Sequence, residues 1–227
     1  MYAQYHHRFH YKILARIEFM KKTVLLVGDS IRLSYCQAVK ALLSDFADVY
    51  YSDSNNQWTG FAMWNLPTIV EQTGVEYFDC IHWNTGIWDL HRHMVDGNFT
   101  HYDDYITINE RLYKQMAHYG RHLIWATITP GGKQLDEQRR IFDMNGTGLY
   151  FLTDYRDKWN ADVIKYNAGA SEMYRSHGVL INDICSPILA DTDRFLCDDG
   201  IHLSFDGIAL VAKMVSDIIY KTLADDS

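Results

Sequence analysis

The sequence predicts an α/β protein, a three-layer α/β/α sandwich around a five-stranded parallel sheet. Three observations lead there. Short β-rich runs alternate along the chain with longer segments of helical period, the pattern of βαβ units joined by right-handed crossovers. The first run, Thr23-Val24-Leu25-Leu26-Val27, is apolar without alternation, as in a strand covered on both faces. The 227 residues are 48% hydrophobic and 22% charged, which suffices for one sizeable core.

Taken in order, strand one is 23–27, and 31–46 has helical spacing through Leu33, Ala38, Ala41 and Leu42. Strand two is the short run 49–51, followed by a helix over 61–72 and a third strand over 77–83. A polar stretch leads to a helix over 105–118. The fourth strand, 122–128, stops at Pro130-Gly131-Gly132, where a missing N–H and two unbranched residues break regular structure. A long loop then reaches residue 154, before a long helix over 155–176, a fifth strand over 179–181 and a closing helix over 206–223. Ligands of such sheets bind beyond the carboxyl ends of the strands, so residues just after each strand are the first to inspect.

Residues 1–19 differ from the rest: they hold His6, His7 and His10, several Tyr and no period. They are expected to be an N-terminal extension without functional role, with one domain over 20–227. Met20-Lys21-Lys22 before the first apolar run mimics a signal peptide. The run is too short and breaks at Gly28-Asp29, so a cytoplasmic protein is expected. No stretch approaches the ~18 apolar residues of a spanning helix. A formal charge of −8 repels phosphate backbones and anionic lipid, which argues against nucleic-acid and membrane partners. Cys36, Cys80, Cys185 and Cys197 are widely spaced, unlike zinc ligands, and read as reduced, mostly buried thiols. Without an export signal the Asn98-Phe99-Thr100 and Asn145-Gly146-Thr147 sequons carry no weight. His91-Arg92-His93 is spaced too closely for a helical metal pair and reads as solvated loop.

Two stretches carry chemistry. Gly28-Asp29-Ser30 follows the first strand and precedes a helix, which places a hydroxyl at a tight turn where helix N–H groups face any developing oxyanion. The same residues also suit an ordinary helix N-cap. The stretch differs from the G-x-S-x-G elbow, because Arg32 stands at the last glycine's place. Near the other end, Asp199-Gly200-Ile201-His202 sets a carboxylate three residues before an imidazole, able to hold it in the tautomer that accepts a serine proton. With eleven His in the chain, a solvated loop histidine is the alternative.

Together, Ser30 and Asp199-x-x-His202 resemble the SGNH (GDSL-like) hydrolases. The likeness extends through Asp199-Gly-Ile-His-Leu-Ser-Phe-Asp-Gly207, where that family runs D-G-x-H-x-S-x-x-G, and takes in Tyr166-Asn167 and Asp183. It implies a flavodoxin-like sandwich and a serine esterase with Ser30 as nucleophile, His202 as base and Asp199 as orienting acid, with no metal or organic cofactor. It further implies an oxyanion hole made by the N–H of Ser30 and two other donors. After strand two the family has a glycine N–H; here Asn56 is the best placement, with Asn55 and Gly60 as rivals. After strand three the family reads G-x-N-D. This chain has Gly86-Ile87-Trp88-Asp89, with Trp88 at the asparagine's position and Asn84 as a relocated amide donor. Arg32, Trp58 and Trp88 are the expected substrate-binding residues, and Arg32 alternatively a surface ion pair. The expected activity is hydrolysis of a small acyl ester, such as an O-acetyl group on a carbohydrate, through an acyl-enzyme. The alternative is a weak or inactive carbohydrate-binding protein of the same fold.

Overall fold

The computed structural model describes residues 21–92, 97–136, 140–142, 149–151 and 154–225. The predicted 1–19 extension, His93 and Asn145 lie outside them. The central sheet contains β1 (Lys22–Gly28), β2 (Ala47–Tyr51), β3 (Phe78–Asn84), β4 (Gly120–Ala126) and, as the fifth strand, Leu180–Asn182. Their order is β2-β1-β3-β4 and then Leu180–Asn182, and every pairing is parallel. The predicted five-stranded parallel sheet is therefore present.

Helices cover both faces. Helix α1 (Ser30–Leu42) packs with the last helix, Phe205–Ala224, on one side. Helix α2 (Thr59–Thr73) packs on α3 (Tyr102–Tyr119), and α3 on α4 (Tyr155–Ser176), on the other. Adjacent residues of β3 show the two layers directly. His82 meets the edge of Tyr35 from α1, while Trp83 meets Tyr174 from α4. Val24 to Val27 are fully buried, as a strand covered on both faces requires.

The 131–153 stretch, expected to be plain loop, holds a 3₁₀ turn at Lys133–Asp136 and an antiparallel pair, β5 (Arg140–Phe142) with β6 (Leu149–Phe151). The strand Leu180–Asn182 is thus β7. Two short helices, α5 (Cys185–Ala190) and α6 (Thr192–Phe195), lead into α7 (Phe205–Ala224). All four cysteines are free, three of them buried and Cys197 exposed.

Candidate active site

Strand β1 ends at Gly28, and its geometry admits nothing larger. A Cβ there would lie 2.5 Å from the Asn84 carbonyl oxygen and 2.6 Å from Asn84 Oδ1, at φ +156°. Asp29 follows as the N-cap of α1, its Oδ1 accepting the Ile31 N–H at 2.9 Å. Ser30 is therefore the first helical residue, where a backbone N–H has no partner within its own helix. The cap reading of this motif and the chemical one are compatible: Asp29 caps and Ser30 is presented.

The 196–203 loop brings the imidazole to it. An isolated bridge pairs Leu196 with Leu203, and the Cys197 N–H donates to His202 O at 2.7 Å. Gly200, at φ +70°, takes the left-handed turn that lets the chain double back, and its carbonyl accepts the Gly132 N–H at 2.8 Å, anchoring the loop to the end of β4. Asp199 Oδ1 accepts the N–H groups of Ile201 and His202, both at 2.9 Å. Ser204 Oγ caps α7 by accepting the Gly207 N–H. The D-G-x-H-x-S-x-x-G signature is thus a self-bonded loop followed by a capped helix.

Within it, His202 Nδ1 lies 2.5 Å from Asp199 Oδ2 and His202 Nε2 lies 3.0 Å from Ser30 Oγ. A carboxylate accepts only from Nδ1–H, which leaves Nε2 as the acceptor for the Ser30 hydroxyl. Partial burial alone would raise the Asp199 pKa, but the His202 ring and the two backbone N–H groups outweigh it and hold the carboxyl below its ordinary value. The side chains of His202 and Asp199 remain 47% and 48% exposed, so the array is open to solvent.

Arg32 departs from its expected place, and the other predicted residues have the following partners. Arg32 is neither at the mouth nor in a surface ion pair: it is fully buried, and its guanidinium donates to the carbonyls of Ser52, Ser54 and Gly28. At the third position of α1 it points back under the turn, toward carbonyls that only the folded sheet assembles. Asn84 turns inward as well. Its Nδ2 donates to Asp29 Oδ1 at 3.0 Å and its Oδ1 accepts from the Tyr35 hydroxyl at 2.8 Å, bonds that hold the Ser30 turn from below. The backbone N–H of Asn56 is likewise engaged, donating to Gly28 O at 3.2 Å. The Asn56 N–H and one Asn84 amide hydrogen are thus engaged by the scaffold, while Asn56 Nδ2 is buried without a hydrogen-bond partner among the described residues. Trp88 packs against the core beside His91, whose ring meets Trp159; Trp58, the N-cap of α2, is half-buried and edge-on to Phe99.

Asp89, at the acidic position of the third block, is buried and caps α2 from a distance, accepting the Thr59 N–H and hydroxyl at 2.9 and 2.8 Å. Burial pushes its carboxyl up despite those bonds. Asn167 bonds both the N–H and the carbonyl of Ile128, Tyr166 donates to Thr100 O, and Asp183 accepts from Thr127 and Ser186. These side chains brace the loops at the strand ends. Arg92, expected in solvated loop, is partly buried and pairs with Asp162 at 2.6 Å, which also holds Asn98. Among the described residues no three His, Cys, Asp or Glu side chains converge to hold a metal ion, and no helix is long and apolar enough to cross a membrane.

No protein-family model matches the sequence, and no curated protein does. Solved structures match across nearly the whole chain. The acetyl xylan esterase AlAXEase superposes with TM-score 0.66 at 15% identity, covering 87% of this chain and 99% of that one. A GDSL-like lipase from Bacteroides thetaiotaomicron gives 0.62 at 12%, covering 95% and 97%. The fold is that of the SGNH (GDSL-like) hydrolases. A catalytic mutant of an acetylxylan esterase from Geobacillus stearothermophilus matches the same SGNH core at 0.64 and 14%, over 86% and 92%. At such identities the likeness concerns the fold, and the chemistry has to be argued from the residues above.

Proposed function

We propose that this protein is a serine esterase in which His202 takes the Ser30 proton as Oγ attacks an ester carbonyl. His202 then returns that proton to the leaving alcohol, and water releases the acyl group from Ser30 by the same route. Asp199 holds the ring in the required tautomer and steadies the imidazolium. The observation that carries the reading is the unbroken chain of contacts from Asp199 Oδ2 through both ring nitrogens to Ser30 Oγ, spanning 172 residues of sequence. A capping serine and a solvated histidine have no reason to meet at 3.0 Å. The Ser30 N–H at the start of α1, with the positive end of that helix behind it, favours the oxyanion.

The substrate we infer is a small acyl ester, an O-acetyl group carried on a carbohydrate. Two things support this: the acetyl xylan esterases among its structural likenesses, and the half-exposed pair Asp199 and His202, an open site that admits an acyl group on a bulky alcohol. Hydrolysis of p-nitrophenyl acetate by the wild type and by Ser30→Ala, with a fluorophosphonate probe for Ser30, tests the mechanism. Acetylated xylooligosaccharides test the substrate. Trp88 in place of an asparagine, with one Asn84 amide hydrogen already bonded to Asp29, favours a second reading in which the fold binds carbohydrate with little or no turnover. Absence of Ser30-dependent hydrolysis and labelling in a folded sample selects that second reading.

A further inference from the structure

We propose that Arg32 is a positioning residue: its guanidinium clamps the loop after β2 onto the nucleophile's turn, and so sets the oxyanion side of the Ser30 site. The catalytic part of this proposal rests on the esterase reading above. Arg32 is 0% exposed and, among the described residues, forms no ion pair. Its Nη1 donates to Ser52 O at 2.6 Å, and its Nη2 to Ser54 O at 2.7 Å and to Gly28 O at 3.3 Å. Two of these carbonyls belong to the loop and the third to the turn, so one planar cation joins them. A lysine ammonium on a flexible stem lacks the fixed fork needed to reach all three. Burying a cation is costly, and carbonyl dipoles with the neighbouring Asp29 carboxyl offset it. A buried helix position has no reason to bear that cost in place of an apolar side chain unless the contacts matter.

Two further observations join the loop to the turn. The Asn56 N–H donates to the same Gly28 carbonyl, so loop and turn are stitched twice at one oxygen. One residue later, Gln57 sits at φ +47°, a left-handed conformation that a non-glycine residue keeps only where its surroundings enforce it. Asn55 Oδ1, accepting the Gln57 N–H at 2.8 Å, helps to do so. The loop backbone that flanks Ser30 on the β2 side is therefore strained and held, and Arg32 is the strongest of its ties. In a site whose Ser30 N–H is a principal donor, a drift of this loop changes how an attacked carbonyl seats against that N–H.

Arg32→Lys and Arg32→Met test this, each checked for folding by thermal unfolding. Three readouts apply: amide hydrogen exchange of the peptide spanning 52–60, the rate of Ser30 labelling by a fluorophosphonate, and kcat and KM for p-nitrophenyl acetate. We expect exchange in 52–60 to quicken about tenfold or more, labelling and kcat to fall about tenfold or more, and KM to move less than about threefold, with Lys between Met and the wild type. A role confined to folding lowers the melting temperature but leaves the labelling rate of folded protein unchanged. Folded Arg32→Met, or Arg32→Lys if the former does not fold, with 52–60 exchange and labelling within twofold of the wild type overturns the proposal. A wild type that neither labels nor hydrolyses refutes the esterase reading instead, and the exchange measurement alone then decides the clamp.

Discussion

Asp29→Asn isolates the energetics of the layer beneath Ser30. Asp29 is 1% exposed, and its Oδ1 accepts from the Ile31 N–H and the Asn84 amide. Burial pushes its carboxyl up from the ordinary 3.8 to about 7, while those two hydrogen bonds and the Arg32 charge pull the other way. An acid whose pKa is raised by folding is held best when protonated. Its contribution is therefore most favourable below the ordinary pKa, declines as pH rises toward about 7, and levels off above that. Three pH units correspond to about 4 kcal/mol, an upper bound because local relaxation and water entry shrink such penalties. Asparagine matches the protonated acid in shape, keeps a carbonyl oxygen for both bonds and does not titrate. We expect Asp29→Asn to flatten stability between pH 5 and pH 8 and to exceed the wild type at pH 8 by about 1–3 kcal/mol. Urea denaturation at several pH values measures this. Parallel wild-type and variant curves across that range, or a loss of stability at pH 8, would refute the assigned cause.

Two other substitutions probe the same frame. Gly28→Ala drives a Cβ into the Asn84 carbonyl and side chain, and should cost about 2–4 kcal/mol in thermal unfolding; a loss under about 0.5 kcal/mol would mean that the turn relaxes freely. Asp199→Asn loses the carboxylate that accepts from Nδ1–H, so kcat for p-nitrophenyl acetate should fall about 10³–10⁴-fold with the fold intact. A tenfold loss or less would remove Asp199 from the orienting role. The depressed Asp199 pKa has the opposite sign to that of Asp29: its support for the native 196–203 loop is present above the ordinary carboxylate range and lost as pH falls below it.

Much of this molecule was legible because its signals are local. The apolar run of β1, the helical period of α4 from Tyr155 to Ser176 and the turn residues of the 199–207 stretch each act within a few positions of themselves. The α/β sandwich follows from that alternation. The conformation of the stretch after β4 is not legible in residue order, because its short strands pair only with each other and add no period to the βαβ alternation. Arg32 reads as a substrate or surface residue, and Asn56 and Asn84 as oxyanion donors, because polar residues beside a serine at a strand end attract such readings. Their partners, Ser52 and Ser54, Asp29 and Tyr35, and Gly28, are backbone or side-chain atoms that no spacing rule connects to them.

Local residue order carries the five sheet strands, the long helices and the two short motifs that deliver a hydroxyl and an imidazole to one sheet edge. Which polar groups remain available there depends on the assembled layers. Asp89 caps a helix that begins thirty residues earlier, and a buried arginine gathers three carbonyls from two separate segments. Buried donors and acceptors must find partners, and the sheet sets which ones lie within hydrogen-bond reach; that matching is a property of the assembled layers and leaves no trace in residue order.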